Sequence, residues 1–492
     1  MAIKKERALE IMKKFTGCEI YPASFTEAQD CFLAITNRAD YKRLVCVTEK
    51  KSALFNALQA EREQNQAGIQ CKIAPLSGAN AEIVRRTIAW AAPSACGRQA
   101  LSLGLGDRLG LITPGHLQAV AGKNIKPVLA QQSVRECTLT KRNFRGVLDA
   151  ATWGVLQAGY RDGYGADGDH LKTEEEIAGV LMLGYSMITL DCSEKIDNSI
   201  AELPAEQVAA KYQALPEDFR EKVEKYYLEQ EFTVGEFTIS YTLEQLQRIV
   251  LTYAEAIVFA SYIYRTYLKR TPWPIDFELS IDETITVTSP QDHFLVANEL
   301  ERQEVKLTSV APRFCGEFQK GVDYIGDLAQ FEAEFKVHAA IADKLGYRLS
   351  IHSGSDKLSV YPIIAKYTQG RVHVKTAGTN WLEGLRLICR VDKKLFREVV
   401  DFARAHFQEA RAYYHVSTDL NKVPQTADLA DAELETLLNI NDGRQMLHIT
   451  YGLILSDATL QEKLYAVWAA NEQLHYELVA AHIGEHIQKL GR

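Results

Sequence analysis

The sequence predicts an α/β protein: a (β/α)8 TIM-like barrel with an N-terminal α/β flanking block, a helical insertion and C-terminal helices. Two observations support this prediction. From Ala100 onward, eight short strand-like runs alternate with helical segments, a pattern typical of parallel strands joined by crossover helices. Acidic, basic and imidazole side chains collect where these runs end, and barrel enzymes carry their active sites at that end of the strands.

The composition is that of an ordinary globular protein. The chain of 492 residues is long enough for two or three cores, and 47% of its residues are hydrophobic and 24% charged. The net charge of -8, without a basic arm or stripe, argues against a nucleic-acid partner. Nine cysteines without a CxxC pair are typical of reduced thiols, and no segment has the pattern of a signal peptide or a membrane span. We therefore expect a cytoplasmic protein with no membrane partner.

Residues 1–99 are predicted to form the N-terminal flanking region. An amphipathic helix opens the chain, and strand candidates at residues 44–48 and 71–74 enclose a predicted helix at residues 52–65. No pattern in this region indicates chemistry, so we expect it to flank or cover a catalytic domain.

Residues 100–400 are predicted to hold the catalytic barrel. The third strand is the weakest prediction, because GYGADGDH has four glycines and alanines among eight residues, and an imperfect barrel or an open sheet stays an alternative. In order, the predicted strands are residues 101–107, 127–133, a glycine-rich segment ending at Asp169, 186–192, 276–282, 307–313, 348–353 and 372–376.

Two further regions are predicted to be helical. Residues 202–270, between the fourth and fifth strands, have helical periodicity and few breakers, so we expect a helical insertion. This insertion is long enough to serve dimerisation, which leaves a homo-oligomer open. Residues 401–492 are predicted to be a mainly helical C-terminal region.

The fifth predicted strand alternates strictly between polar and apolar residues. Glu278, Ser280 and Asp282 share one face of it. Because the outer face of a barrel packs on helices, we expect these carboxylates to point inward. An inward carboxylate is costly unless it is paired, metal-bound or catalytic. Glu278 is therefore the leading acid/base candidate, and a buried salt bridge to Arg313 or Arg348 is the alternative.

Three histidines are candidates for metal binding. His352 and His373 lie on the seventh and eighth predicted strands, and His170 follows a glycine-rich segment that can bend sharply and bring Asp167 and Asp169 close to a cation or a sugar. Three imidazoles with open positions for substrate suit Zn²⁺, Mn²⁺, Ni²⁺ or Co²⁺. The alternatives are hydrogen-bonded core histidines and a solvated acidic turn.

Cationic side chains are frequent at or near the predicted strand ends. They are more numerous than a neutral sugar requires, so they indicate a substrate with a carboxylate or a phosphate. A solvated surface charge is the alternative for each of them. The candidate substrate-binding residues are Arg108, Arg313, Lys320, Ser353, Lys357 and Lys375.

The run GLGDRLG at residues 104–110 resembles a dinucleotide-binding fingerprint only loosely. Its spacing is GxGxxxG and no acidic residue follows in the right context, so a tight barrel loop is the better interpretation. We therefore expect no nucleotide cofactor, and the expected partner is a small-molecule sugar or sugar acid.

Several motifs together resemble one family. FELSIDET, SIHSGSDK and HVKTAGTNWLE, with GLGDRLGLITPGH and GYGADGDH, are similar to the bacterial tagaturonate epimerases, which interconvert tagaturonate and fructuronate in hexuronate breakdown. The resemblance spans residues 100 to 420, and it is specific in these motifs and vaguer in the helical insertion. It implies a metal-dependent epimerase with Asp169 and Glu278 as acid/base residues and His170 and His352 among the metal ligands.

Other parts of the interpretation rest on chemistry. His373 is inferred as third metal ligand from its strand position, and His415 is its competitor. We expect retro-aldol and aldol steps, with the metal stabilising an enediolate. Turnover of tagatose and fructose at C4 stays open, as do a metal-dependent class II-type aldolase, another ketose isomerase, and a sugar-binding or scaffolding protein.

Overall fold

The N-terminal part of the chain is a five-stranded antiparallel sheet. The structure, a computed structural model, describes residues 4–38, 41–66 and 68–492. The elements of this part are α1 (Lys5–Thr16), β1 (Thr26–Ala28), β2 (Cys31–Ile35), β3 (Arg43–Thr48), α2 (Ala53–Ala57), β4 (Arg62–Gln66), β5 (Ile69–Pro75) and α3 (Gly78–Thr87). The strands lie in the order β1-β2-β3-β5-β4 in the sheet.

Both faces of this sheet are buried. Alternate residues of β3 face two different clusters: Leu44 packs with residues of α2 and α3, and Val45 packs with residues of α1. The two predicted strands are confirmed, but the predicted helix at 52–65 is wrong beyond Ala57. Residues 62–66 instead pair with β5 as a polar edge strand that is exposed to solvent.

Eight parallel strands close a barrel, which confirms the predicted fold class. All eight predicted strands are present, including the glycine-rich third one. They are β6 (Leu101–Gly104), β7 (Ile125–Ser133), β8 (Gly165–Leu171), β9 (Met187–Asp191) and, after the two short strands of the insertion, β12 (Asp276–Ile281), β13 (Ser309–Pro312), β14 (Arg348–Ile351) and β15 (Val372–Lys375).

Helices connect successive barrel strands. α7 shows why they begin where they do: Thr173 and Glu176 form a reciprocal capping box at its first turn. The connecting helices are α4 (Thr113–Val120), α5 (Val134–Leu139), α6 (Phe144–Ala158), α7 (Glu174–Leu183), α11 (Pro290–Arg302), α12 (Leu328–Leu345) and α13 (Tyr361–Thr368).

The insertion between β9 and β12 is helical, as predicted, and also holds a short hairpin. It consists of α8 (Ala205–Gln213), α9 (Glu217–Tyr227), β10 (Phe232–Val234), β11 (Phe237–Ile239) and α10 (Leu243–Thr266). Among the described residues, one helical stretch, 243–270, has the length and apolar composition of a membrane span, but 56% of its apolar window is buried inside the protein. The buried core helix of a globular protein can have the same length and apolar composition.

The C-terminal region is helical and packs around one apolar cluster. α14 contributes Trp381 and Leu385, and α19 contributes Leu464 and Trp468. The helices are α14 (Asn380–Val391), α15 (Lys393–Ala405), α16 (Phe407–Arg411), α17 (Asn441–Ile449), α18 (Tyr451–Ser456), α19 (Ala458–Ala470) and α20 (Glu472–Lys489).

By internal packing the chain divides into two compact units, each built from separate stretches of sequence. The first comprises residues 1–94, 105–166 and 377–485, and the second comprises residues 95–104, 167–376 and 486–492. The division into residues 1–99, 100–400 and 401–492 follows sequence order and stays a prediction.

Candidate active site

A β-bulge in β8 brings the adjacent residues Asp169 and His170 to the same group of side chains. Successive residues of a regular strand point to opposite faces. Between Gly168 and Leu171 the pairing with β9 shifts register, and His170 has φ of 55°, in the left-handed region. His170 Nδ1 therefore lies 3.4 Å from Asp191 Oδ2, and its Nε2 lies 3.8 Å from Asp169 Oδ1.

Glu278 is fully buried inside the barrel, as the alternation of its strand predicts. Its Oε2 accepts a hydrogen bond of 2.6 Å from Ser309 Oγ, on the next strand. Its Oε1 lies 2.8 Å from His352 Nε2 and 3.0 Å from Lys375 Nζ. The cation that meets Glu278 is thus Lys375, so the alternative of a direct salt bridge to Arg313 or Arg348 does not describe this contact.

Lys375 joins the two predicted acid/base residues. Lys375 is 7% exposed, and its ammonium contacts Asp169 Oδ1 and Glu278 Oε1 and donates a hydrogen bond of 2.9 Å to Thr189 Oγ1. Asp167 Oδ2 lies 3.5 Å away. The ammonium predicted to bind substrate therefore holds the carboxylates beside it.

These contacts keep both carboxylates ionised. Burial opposes the charge on Glu278, but Lys375 and His352 outweigh it and hold the pKa of Glu278 well below its usual value. Asp169 shows the same balance, with Lys375 and then His170 lowering its pKa against burial. Both carboxylates are therefore in the ionised form, the form in which a carboxylate can accept a proton.

His352 lies between two carboxylates. Besides its contact with Glu278, its Nδ1 lies 3.1 Å from Asp282 Oδ2. Burial disfavours the imidazolium, but Asp282 and Glu278 together outweigh it and raise the pKa of His352 to about 9. The rings of His170 and His352 meet edge to face, with centroids 4.8 Å apart.

The donor set around these histidines suits a divalent cation. Donor atoms of His170, Asp191 and Glu283 lie within 4.8 Å of one another. Four carboxylates contact the two imidazoles, namely Asp169 and Asp191 at His170, and Glu278 and Asp282 at His352. Among the described contacts, the ammonium groups of Lys375 and Lys172 are the ones that meet those carboxylates. A metal ligand must be a neutral imidazole, so metal binding would release the proton of His352. Four carboxylates beside two ammonium groups then leave negative charge in excess, which a divalent cation would balance.

His373 has other partners. It is fully buried, its Nδ1 lies 2.7 Å from Ser102 Oγ, and burial lowers its pKa to about 3, so it is neutral. His415 belongs to the first compact unit. The cluster around His170 instead includes Asp191 and Glu283, which sequence reasoning missed. Asp191 is the last residue but one of the predicted strand 186–192, and Glu283 directly follows the predicted strand 276–282.

The remaining predicted substrate-binding residues have different surroundings. Lys320 is partly exposed and donates a 2.9 Å hydrogen bond to Ser353 Oγ. Lys357 is fully buried, and its ammonium donates to three backbone carbonyls, those of Gln319, Val322 and Ser355, so it ties two loops together.

Two arginines have partners of their own. Arg313 is exposed, and its guanidinium bonds the carbonyl of Thr284. In the first compact unit, Arg108 is buried, pairs with Glu136 and lies over the ring of Tyr451.

A closed parallel barrel with ionised carboxylates, imidazoles and an ammonium at its strand ends defines a class: a (β/α)8-barrel enzyme with an acid/base site. A sequence model of the tagaturonate epimerase family matches residues 21–490. The chain belongs to the tagaturonate epimerase family, as its motifs indicated, and is an isomerase of the epimerase type.

Two relatives match the chain over nearly its whole length. The tagaturonate/fructuronate epimerase of Thermotoga maritima is 40% identical over 475 residues, 96% of this chain and 97% of that protein. A glycerol complex of the fructuronate-tagaturonate epimerase of Cohnella laeviribosi is 46% identical, with a TM-score of 0.93 and 99% of both chains covered. The native structure of the same enzyme is 45% identical, with the same TM-score and coverage.

Proposed function

We propose that this protein interconverts D-tagaturonate and D-fructuronate. The observation that carries the proposal is the pair of ionised carboxylates, Asp169 and Glu278, joined by Lys375 beside a histidine and carboxylate cluster. The names of the relatives from Thermotoga maritima and Cohnella laeviribosi support the same substrates. Turnover of tagatose and fructose at C4 would need only a site tolerant of a missing carboxylate.

The substrate's structure dictates the chemistry. Counted from the carboxylate, the inverted carbon is C3 and the ketone is C5, so enolisation beside the ketone does not reach it. A base that takes the C3 hydroxyl proton lets the C3–C4 bond break, and its electron pair passes into the enolate of the ketone fragment. Rotation of the aldehyde formed at C3, followed by re-addition of C4, inverts the centre.

The side chains of the site have defined roles in these reaction steps. Glu278 and Asp169 perform the two proton transfers, and either residue can act on either face of the substrate. Lys375 holds both in the ionised form until substrate enters. Lys320, with Ser353 beside it, binds the substrate carboxylate and so keeps the aldehyde fragment, which carries that carboxylate, from leaving between cleavage and re-addition.

The site is proposed to bind Zn²⁺, Mn²⁺, Ni²⁺ or Co²⁺. His170 and His352 are the proposed imidazole ligands, Asp191 and Glu283 are carboxylate candidates, and His373 stays the predicted third histidine. A divalent cation bound there supplies Lewis acidity toward the ketone end of the substrate. We also propose that the enzyme works in the cytoplasm, where its nine cysteines stay reduced.

The test uses the metal-stripped protein, incubated with tagaturonate or tagatose with and without each added cation, with products followed by chromatography. Metal-restored fructuronate without three-carbon fragments is expected. Accumulation of fragments alone would indicate an aldolase, and no product with any metal would reject the proposal. Activity that is undiminished after metal removal would reject the metal requirement.

A further inference from the structure

Thr189 lies at the centre of the polar network but belongs to none of the groups assigned so far. It is the middle residue of β9, is fully buried, and pairs in register with Glu278 on β12. Its hydroxyl oxygen lies 2.9 Å from Lys375 Nζ, 3.2 Å from Glu278 Oε1 and 2.9 Å from Asp167 Oδ2. One hydroxyl thus meets an ammonium and two carboxylates.

The Thr189 hydroxyl both accepts a hydrogen bond and donates one. An ammonium has three N–H donors. Those of Lys375 meet Asp169, Glu278 and Thr189. A hydroxyl that accepts from Lys375 has one proton left to donate, and a carboxylate, Asp167 or Glu278, receives it.

Thr189 therefore fixes where Lys375 points. The hydroxyl takes the third N–H, so the other two stay on the two acid/base carboxylates. Without it, Asp167 Oδ2, now 3.5 Å from Nζ, is the acceptor that can draw the ammonium away. Such a shift would loosen both Asp169 and Glu278 together.

We propose that Thr189 is a positioning residue of the epimerase reaction, acting through Lys375 on Asp169 and Glu278. The inference rests on the proposed function, because it assigns the reaction's two proton-transfer residues to those carboxylates. Among the described contacts, Thr189 meets none of the histidines, so its role differs from metal binding.

The test is Thr189→Val, which replaces the hydroxyl by a methyl group of similar size, with Thr189→Ser as the variant that keeps the hydroxyl. For Thr189→Val we expect kcat to fall about 10- to 100-fold, with KM and bound metal nearly unchanged. Thr189→Ser should recover most of kcat. Thr189→Ala, which adds no bulk, is the second hydroxyl-free variant should Thr189→Val fold poorly.

Thr368→Val is the control for the loss of a buried threonine hydroxyl. Thr368 bonds a backbone carbonyl in α13, so this change should leave kcat unchanged. Wild-type kcat in folded Thr189→Val or Thr189→Ala, or equal losses in Thr189→Ser, would overturn the inference. If the wild type itself does not interconvert the uronates, the proposed function fails. A crystal structure of Thr189→Val then tests this inference separately: displacement of Lys375 Nζ from Asp169 and Glu278 would support it, and an unmoved Nζ would overturn it.

Discussion

Glu278 shows how a single carboxylate is kept charged inside a barrel. It is fully buried, and Ser309, His352, Lys375 and Thr189 meet its two oxygens. A buried carboxylate without such partners would take up a proton instead. The partners come from different strands, so the charge of Glu278 depends on the closed barrel.

Replacing Glu278 by Gln removes a proton acceptor while keeping the size of the side chain. We expect kcat to fall about 10²- to 10⁴-fold, the range of a lost general base, with the fold retained. Steady-state kinetics on tagaturonate and fructuronate measure it. Glu301→Gln, on the exposed side of α11, is the matched control and should have wild-type kinetics. A kcat within a few-fold of wild type would remove Glu278 from the mechanism.

Two lysines of the predicted substrate set are expected to respond differently to the same substitution. Lys320→Met removes a partly exposed cation, and KM for the uronates should rise about tenfold or more with little change in stability. Lys357→Met leaves three carbonyls without their donor, and the free energy of unfolding should fall by roughly 2–4 kcal/mol.

Urea unfolding and steady-state kinetics on both variants separate the two roles. If Lys357→Met raised KM without loss of stability, Lys357 would be a substrate ligand after all.

For single residues, the sequence predicts the face to which a side chain points better than it predicts which other side chains it contacts. Alternation along 276–282 correctly predicts that Glu278 points inward. It does not predict that Lys375 meets Glu278, because that contact depends on the register of strands far apart in sequence. The orientation of His170 depends on a bulge, and a bulge adds one residue without a distinctive pattern.

The barrel strands were predictable as elements, because each combines an apolar run with polar residues at its end. The boundaries differ where those polar ends belong to loops: the predicted strand at 101–107 ends at Gly104, and the one at 307–313 spans Ser309–Pro312. The hairpin β10–β11 was not predicted, because two three-residue strands are too short to show a period.

Two helical glycines should respond oppositely to alanine. A Cβ at Gly154 in α6 would lie 2.5 Å from Thr113 Cβ in α4, so Gly154→Ala should destabilise the protein by about 1–3 kcal/mol. A Cβ at Gly179 in α7 meets nothing within 4 Å, so Gly179→Ala should stabilise it by about 0.5–1 kcal/mol. Urea unfolding of both variants tests this. Equal effects would mean that the approach of α4 to α6 does not require glycine.

The whole molecule should lose stability in mild acid, because several histidines are buried in the neutral form. Burial lowers the pKa of His116 to about 3 and those of His338 and His475 to about 4. Since these values lie below that of an unfolded histidine, about 6.5, unfolding takes up protons between pH 6.5 and 4. Each such histidine stabilises the fold above pH 6.5 and makes stability fall by about 1.4 kcal/mol per pH unit below it.

Urea unfolding at pH 7, 6 and 5 measures this slope. Among the residues that the structure describes, neither ring nitrogen of His116 has a hydrogen-bond partner. His116→Leu should therefore reduce the slope of stability against pH by the equivalent of about one proton, without leaving an unpaired group. Stability that is flat from pH 7 to 5 would contradict the buried neutral histidines.

The first compact unit is assembled from residues 1–94, 105–166 and 377–485, and this has a consequence for synthesis on the ribosome. The cluster beneath the N-terminal sheet already needs Trp153 and Leu156 of α6. The rest of the unit must wait for residues 377–485, and synthesis from residue 166 to residue 485 takes on the order of tens of seconds at cellular elongation rates. During that interval the nascent chain exposes apolar surface, so it should be a chaperone client until its final helices emerge.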